Sequence, residues 1–296
     1  MTESSAKKVF RLSELPSIDL LGGTMVRTGF RGDHVLLTSN RIKPTMQRWE
    51  PHQHPFDQIV LTVKGRQLLE IEGEAMECGP GTVVRVPADA KHTGWPIGDE
   101  PVVNIDVFAP PRADYLFLVE YQKEYAQPPK QGKDAPTAYH QVHASSKFSG
   151  KMMKDTSDKL YRWADLPKHD RFNGFMMQSG FRGDDALVTF NWIEPGKKRP
   201  EPHSHPFDQI VLVMEGHMKL EIDGEVLDCP AGSICRVPSD AKHTGWPVGN
   251  EMVLNIDVFA PPREDYLFLC NYQKDYAPGA SNQEKRREYQ TRGRDS

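Results

Sequence analysis

The strongest constraint on the fold is that the second half of the chain repeats the first. Matching segments are offset by 151 residues, without a gap, from about Phe10–Ala126 to Tyr161–Ala277. Each copy is long enough to bury its own core, so the sequence predicts two domains of one fold and not a solenoid. The repeated segments are GFRGD at 29–33 and 180–184, HPFDQIVL at 54–61 and 205–212, AKHTGWP at 90–96 and 241–247, and NIDVFAPPR at 104–112 and 255–263.

The repeat sets the expected domain organisation. We expect an N-terminal domain at residues 1–126, a linker at 127–159, a C-terminal domain at 160–277 and a disordered tail at 278–296. The linker contains QPPKQGKDAPT, which is polar and rich in Pro and Lys. The tail has almost no apolar residues, which is typical of disorder, although its basic residues would also suit an acidic partner.

The hydrophobic pattern inside each copy favours short strands. In the first copy QIVLTV, QLLEIEG, TVVRVP and VVNIDVF are rich in Val and Ile and are separated by glycine-containing turns. Regular short strands of this kind predict an all-β fold, an antiparallel sandwich or barrel. Helix is expected only near 113–125 and 264–276.

Composition excludes several classes of protein. A net charge of -4 is unlike that of a generally basic nucleic-acid binder. No apolar run approaches the ~20 residues of a membrane span, and MTESSAKKVF lacks the apolar stretch of a signal peptide. The four cysteines lack CxxC spacing and are expected to be buried, reduced thiols of a cytoplasmic protein.

Three histidines recur at the same spacing in both copies. The first two are separated by one residue, so on a strand they point to the same face. A lone histidine is more often a hydrogen-bonded core residue, but three at this spacing, twice, favour metal ligation. We expect metal affinity to fall below the ordinary imidazole pKa of about 6.5. The candidate ligands are His52, His54, Gln58 and His92, and in the second copy His203, His205, Gln209 and His243.

These motifs resemble those of the cupin superfamily over essentially the whole of both repeats. The first cupin motif, Gly-x5-His-x-His-x3,4-Glu-x6-Gly, is matched except that Gln58 and Gln209 replace Glu and the leading Gly is absent. The second, Gly-x5-Pro-x-Gly-x2-His-x3-Asn, is matched at its first Gly, Pro and His, with Asp89 and Asp240 replacing the second Gly and Pro replacing Asn. The resemblance implies two tandem jelly-roll barrels, each with a metal facing its interior.

The glutamines change the expected chemistry of the metal. Three imidazoles and an amide oxygen are neutral, so a divalent ion keeps its full charge and polarises a bound carbonyl or carboxylate oxygen more strongly. This ligand set does not identify the ion, which we expect to be Fe, Ni, Zn, Mn or Co.

A closer resemblance implies catalytic residues. HxHPxxQ followed by DVFxPPRxDYL is similar to small cupins that open and tautomerise unsaturated uronate sugars, and the neutral site also resembles the two-cupin isomerase of bacilysin biosynthesis. An Ala and an Asp in each copy depart from the uronate pattern, which leaves the substrate open. In the uronate cupins an Asp, a Phe and an Arg of this segment serve the reaction. The matching residues are Asp106, Phe108 and Arg112, and in the second copy Asp257, Phe259 and Arg263.

Strand geometry supports these roles independently. On a strand, Asn104, Asp106 and Phe108 share one face, and the valines and isoleucine between them share the other. Asp106 would then move a proton and Arg112 would clamp a carboxylate, while Phe108 excludes water. The alternative is structural: Asp106 pairs with Arg112, or Arg112 pairs with Asp114.

Three functions remain open from the sequence. The first is a metal-dependent isomerase or lyase that acts on a small oxo-acid or uronate-like compound by Lewis-acid and general acid/base catalysis. The second is a non-haem Fe(II) dioxygenase with three histidine ligands, and the third is a non-catalytic small-molecule-binding protein. We expect a small anionic or carbonyl-bearing substrate, no nucleic acid and no membrane partner, and the edge strands leave a homo-oligomer open.

Overall fold

The computed structural model describes residues 8–122, 150–153 and 159–274. Its regular elements are β-strands and short 3₁₀ helices, and the predicted all-β fold of two tandem barrels is confirmed. Most of the expected linker and the whole expected tail lie outside the described residues. Within the described part, no helix is long and apolar enough to cross a membrane, and all four cysteines are free and buried.

The first half of the chain carries ten strands and three 3₁₀ helices in the described residues. The helices are Leu12–Glu14, Leu21–Gly23 and Ala113–Val119. The strands are β1 (Val9–Arg11), β2 (Ser17–Leu20), β3 (Met25–Arg31), β4 (Leu36–Ile42), β5 (Gln58–Lys64), β6 (Arg66–Ile71), β7 (Glu74–Cys78), β8 (Thr82–Val86), β9 (His92–Ile97) and β10 (Val102–Phe108).

After one additional strand, β11 (Lys151–Met152), the second half repeats the order of the ten strands. Its described 3₁₀ helices are Trp163–Asp165 and Glu264–Cys270. The strands are β11 (Lys151–Met152), β12 (Leu160–Arg162), β13 (His169–Arg171), β14 (Met176–Arg182), β15 (Leu187–Ile193), β16 (Gln209–Glu215), β17 (His217–Ile222), β18 (Glu225–Pro230), β19 (Ser233–Val237), β20 (His243–Pro247) and β21 (Val253–Phe259).

Each barrel is made of a large and a small sheet packed face to face. In the N-terminal barrel the sheets have the orders β12-β8-β5-β10-β4-β3-β2 and β11-β7-β6-β9, and Val60, Leu69 and Met76 pack between them. In the C-terminal barrel the orders are β1-β19-β16-β21-β15-β14-β13 and β18-β17-β20. The interior left between the sheets is where each candidate site lies.

The two halves of the chain exchange an edge strand. β1 pairs antiparallel with β19 of the C-terminal barrel, where Phe10 lies opposite Ile234. β12 pairs antiparallel with β8 of the N-terminal barrel, where Tyr161 lies opposite Val83. The sequence segments 1–126 and 160–277 thus each give one strand to the other barrel, and both large sheets gain a seventh strand.

A single apolar core joins the two barrels. It contains Ile105 and Val107 of β10 together with Ile256 and Val258 of β21, all at most 2% exposed. These residues come from the face of β10 and β21 that the sequence predicted to be apolar. The opposite face of the same strands, with the acid, the amide and the aromatic ring, is therefore turned into each barrel.

A symmetric polar contact borders this shared core. Oδ2 of Asp57 accepts hydrogen bonds from the backbone amide of Asp184 at 2.7 Å and from Nε of Arg85 at 3.0 Å. The duplicate contact joins Asp208 to the amide of Asp33, at 2.8 Å, and to its own arginine. Each GFRGD turn therefore docks on the other barrel, which gives the repeated motif a structural reason.

Candidate metal centres

Backbone pairing brings the first and third histidines of each barrel together. His52 precedes β5 and His92 begins β9, and each donates its amide to the other's carbonyl oxygen, at 2.9 and 2.8 Å. The carbonyl of His54 accepts the amide of Asp89, which has φ of 60°, the left-handed conformation that glycine would adopt most easily. The C-terminal barrel repeats this arrangement.

The ligand atoms of the predicted histidines converge in both barrels. Within each group of three, the candidate ligand nitrogens all lie within 4.8 Å of one another. The groups are His52, His54 and His92, and His203, His205 and His243.

Hydrogen bonds fix which nitrogen of each ring is free for a metal. Nδ1 of His54 donates to the carbonyl of Phe56 at 2.6 Å, and Nδ1 of His92 donates to that of Ala90 at 2.9 Å. Nε2 of His92 is buried without a partner among the described residues, and Nε2 of His54 faces Oε1 of Gln58 at 3.2 Å. Lone pairs that face each other in this way suit a cation between them, so the residues fit a divalent metal ion.

Burial favours the neutral form of His52, His92 and His243. It lowers the pKa of His52 to about 3, assisted by the charge of His92, and lowers the pKa of His92 and His243 to about 4. A neutral imidazole binds metal without first losing a proton. For these three ligands we therefore expect protons to compete with the metal at lower pH than the value of about 6.5 expected from the sequence.

The fourth candidate ligand, a glutamine, begins the strand that follows the first two histidines. Gln58 and Gln209 are each 7% exposed, and Oε1 of Gln209 lies 3.2 Å from Nε2 of His205, as in the first barrel. The described groups therefore provide three nitrogens and one amide oxygen per barrel. Gln58 also lines the N-terminal cavity, together with His52 and His92.

The residues predicted to be catalytic line the same cavities. The N-terminal cavity is open to solvent and is lined by His52, His92, Asp106, Phe108 and Arg112, among others. The C-terminal cavity is of similar size and is lined by the duplicates, including Asp257, Phe259 and Arg263. The Phe108 ring meets the His54 ring edge to face, with centroids 5.9 Å apart.

The two aspartates differ in their hydrogen bonds. Oδ2 of Asp106 accepts from Asn40 at 2.8 Å, whereas its buried Oδ1 has no partner. Both oxygens of Asp257 are paired, with Asn191 at 2.9 Å and Asn255 at 2.8 Å. Burial raises the pKa of both carboxyls, to about 7 for Asp257, whereas the positive charge of Arg27 opposes the shift for Asp106.

The arginines pair with their neighbouring aspartates. Arg112 donates from Nε and Nη2 to Asp114, at 3.1 and 2.6 Å, and stacks over the Tyr115 ring at 3.9 Å. Arg263 and Asp265 form the same pair, and Nη1 of Arg263 is buried without a partner in the described chain. The pair between Arg112 and Asp114 was one alternative considered from the sequence. It leaves Arg112 on the cavity wall and Asp106 without an arginine partner within hydrogen-bonding distance.

Three further residues at the N-terminal site were missed from the sequence. Arg27 is 8% exposed, donates from Nε to Asn40 at 2.6 Å and lies over Tyr115 at 4.5 Å. Trp49 also lines this cavity. Asn40 is repeated as Asn191, so the duplication could have identified it. Arg27 and Trp49 are not repeated, and a search for duplicated residues cannot find them.

Two known families match the chain. The AraC-like ligand binding domain family matches residues 41–144, and the cupin domain family matches residues 192–259. Polyketide synthase CurC of Streptomyces cyaneus is 33% identical over 73 residues, which are 23% of this chain and 47% of that protein. The chain thus matches about half the length of this curated relative.

Solved structures resemble the whole two-barrel arrangement. Oxalate decarboxylase of Lactobacillus farciminis, crystallised with formate, has a TM-score of 0.60 and 14% identity, and the match covers 88% of both chains. AerE of Microcystis aeruginosa has a TM-score of 0.58 and 15% identity over 83% of this chain and 96% of its own. At such low identity the likeness establishes the fold.

Proposed function

We propose that this chain, whose two halves match cupin-type family models, is a metal-dependent enzyme, an isomerase or lyase acting on a small oxo-acid or uronate-like substrate. One observation carries the proposal. Asp106, a buried carboxylate with an unpartnered oxygen, shares a cavity with three converging imidazoles and an arginine. Such a set can bind an anion and move a proton beside it.

The eight candidate ligands would hold one divalent ion in each barrel. Bound there, the ion supplies a Lewis acid that polarises a carbonyl or carboxylate oxygen of the substrate. Fe, Ni, Zn, Mn and Co all suit imidazole-rich ligands. The Bacillus subtilis oxalate decarboxylase, one of the structural relatives, carries Mn(II) centres. That relative supports manganese as one candidate.

We assign the proton transfer in the N-terminal cavity to Oδ1 of Asp106. This oxygen has no partner among the described residues, while Asn40 holds Oδ2 and fixes the orientation of the carboxylate. Burial raises the pKa of this carboxyl, and the charge of Arg27 opposes that rise and so favours the ionised form, which is the form that accepts a proton from carbon. Once protonated, Asp106 can return the proton to another atom of the substrate, which is an isomerisation.

Arg112 and Phe108 bind and enclose the substrate in this proposal. Arg112 is held in place by Asp114 and Tyr115 and presents its remaining guanidinium donors to a carboxylate. Phe108 and Phe56 both pack on His54 and keep water away from the reacting atoms.

In the C-terminal cavity we give Asp257, Arg263 and Phe259 the same roles. A pKa of about 7 allows Asp257 to donate as well as accept a proton near neutral pH.

Anaerobic proton exchange tests the proposal. Protein loaded with metal is incubated in D₂O without oxygen with unsaturated galacturonate or a series of 2-oxo acids. We expect ¹H NMR to show deuterium entering the substrate next to its carbonyl, and the double variant Asp106→Asn/Asp257→Asn, which removes the proton-transfer group from both cavities, to slow this at least about a hundredfold. Product formation that requires and consumes oxygen would instead identify a dioxygenase. Binding without exchange or product would identify a carrier.

A further inference from the structure

We propose that the two cavities select different ligands and that the N-terminal cavity takes a small dicarboxylate. One carboxylate or oxo-acid group would lie at the metal ligands and the second at Arg27. The inference deepens the proposed function and rests on it. It begins from a difference between two sites whose metal ligands are the same.

The main difference is a buried guanidinium. Arg27 lies on the wall of the N-terminal cavity, and Gln178 occupies the duplicated place in the C-terminal cavity. Among the described residues, no carboxylate lies within 4.0 Å of the Arg27 guanidinium, which bonds only to Asn40 and, weakly, to the Met25 sulfur. The charges of Asp106 and Asp114 act on Arg27 from a distance, but neither forms an ion pair with it, so its guanidinium donors are a ready partner for an anionic ligand group.

Two hydrogen-bond donors accompany Arg27 on this wall. Trp49 and Thr93 line the N-terminal cavity, and their Nε1 and Oγ1 atoms are buried without a partner in the described chain. In the C-terminal barrel the place of Trp49 is taken by Pro200, whose carbonyl accepts the hydroxyl of Thr244 at 3.0 Å. One cavity therefore keeps free donors that the other has removed or satisfied.

The same wall is more apolar in the C-terminal cavity. Gln67 of the N-terminal cavity corresponds to Met218, and the exposed ring of Phe172 is added at the C-terminal cavity. Gln178 donates to Asn191 at 2.8 Å and accepts from Arg171 at 3.2 Å, so its amide is satisfied within the protein. This cavity suits a ligand with one acidic group and an apolar body.

Arg171 does not restore the missing contact. It is partly exposed, stacks over Tyr266 at 4.9 Å and lies behind Gln178 instead of on the cavity wall. Arg112 and Arg263 line the two cavities as duplicates, but of Arg27 and Arg171 only Arg27 lines a cavity. The two sites therefore differ in where this arginine lies relative to the cavity. Substitution of single residues can test the difference.

The test compares two ligands that differ by one carboxylate, 2-oxoglutarate and 2-oxopentanoate. Full-length protein loaded with Zn²⁺, which is redox-inert, is titrated with each ligand by calorimetry. We expect 2-oxoglutarate to bind one site per chain at least about tenfold more tightly than 2-oxopentanoate. Arg27→Gln should reduce this ratio to about twofold or less, without changing the affinity for 2-oxopentanoate.

The duplicated barrel supplies the controls. Arg27→Gln copies a residue that the C-terminal barrel already accommodates beside an equivalent asparagine, so the variant should fold and retain two zinc ions per chain. Arg171→Gln removes an arginine outside the cavity and should leave the ligand preference unchanged.

Different outcomes contradict the dicarboxylate inference and the proposed function. Wild-type protein that binds zinc but does not distinguish the two ligands, or an Arg27→Gln variant with the wild-type preference, overturns the inference alone. Loss of the preference in Arg171→Gln would also overturn it. Wild-type protein that binds no zinc overturns the proposed function.

Discussion

At the scale of single residues, the candidate sites depend on which side of each imidazole is already occupied. Nδ1 of His54 and of His92 is committed to a backbone carbonyl, which leaves Nε2 as the only ring nitrogen for a metal. Burial lowers the pKa of the same two rings, which favours the neutral form that binds a metal. Holding neutral, oriented ligands together lowers the free energy of unfolding, and a bound ion would offset this loss.

The lowered histidine pKa values predict metal retention in mild acid. A neutral ring competes with protons only near or below its own pKa, so pKa values of about 3 for His52 and about 4 for His92 and His243 leave these ligands free at pH 5.5. We expect the bound metal at pH 5.5 to remain within about a tenth of its pH 7.5 value, measured by equilibrium dialysis and elemental analysis. Half-loss of metal near pH 6.5 would show that the rings titrate normally.

The two sites should also lose metal independently. His92→Ala removes one ligand of the N-terminal barrel, and His243→Ala is its matched counterpart in the C-terminal barrel. Elemental analysis should give two ions per chain for the wild type and about one for each single variant, since the triads belong to separate barrels. A wild-type content of one, or a total loss in either variant, would contradict two independent sites.

At the scale of structural elements, the repeated turns GFRGD hold the barrels together. A side chain at Gly183 would place its Cβ 2.2 Å from Oδ2 of Asp57, the atom that accepts the amide of Asp184. Gly32 has the same relation to Asp208, at 2.4 Å. Each turn therefore requires a residue without a side chain at this position.

Substitution of this glycine should weaken the contact between the barrels. We expect Gly183→Ala to lower the free energy of unfolding by about 1–3 kcal/mol, because the buried Asp57 must move away from its donors. Gly79→Ala is the control, since a methyl group there meets nothing within 4 Å, and it should change stability by less than about 0.5 kcal/mol. Urea unfolding measures both. Equal stability of the two variants would argue against a constrained turn.

Many elements could be predicted from the sequence because their signals are local. The strands β5, β8 and β10 coincide with segments identified by Val and Ile content, and the duplicated histidines mark the ligands. Arg27 could not be identified, since a cation on a strand usually faces solvent and this one is buried by its contacts with Asn40 and Tyr115. Its role depends on tertiary neighbours that no local pattern encodes.

At the scale of the whole molecule, the barrels are joined by exchange as well as by contact. The backbone of β1 belongs to the C-terminal sheet, but the ring of Phe10 lies 5.7 Å from both Phe30 and Tyr121 of the N-terminal half. Tyr161 of β12 makes the duplicate contacts with Phe181 and Tyr272. The sequence did not reveal this exchange, because short edge strands take their register from whichever sheet lies beside them.

Truncation provides a test of the exchange. Deleting residues 1–11 removes β1 and should expose the edge of β19, which is far from β1 in sequence. The edge of β8 should stay covered, because its partner β12 is retained. We expect hydrogen exchange to accelerate at least about tenfold in Ser233–Val237 and to change little in Thr82–Val86. Deleting residues 1–7 is the control and should affect neither strand. Faster exchange in the N-terminal barrel alone would contradict the exchanged pairing.

The exchanged strands also impose an order on biosynthesis. As the chain leaves the ribosome, the N-terminal barrel carries an open edge on β8 until Leu160–Arg162 has been translated. When the C-terminal barrel is translated, the strand that completes its large sheet, Val9–Arg11, has already been synthesised. We therefore expect the large sheet of the N-terminal barrel to be completed only after the second half has begun to emerge, and the open edge of β8 to be exposed until then to pairing with other chains.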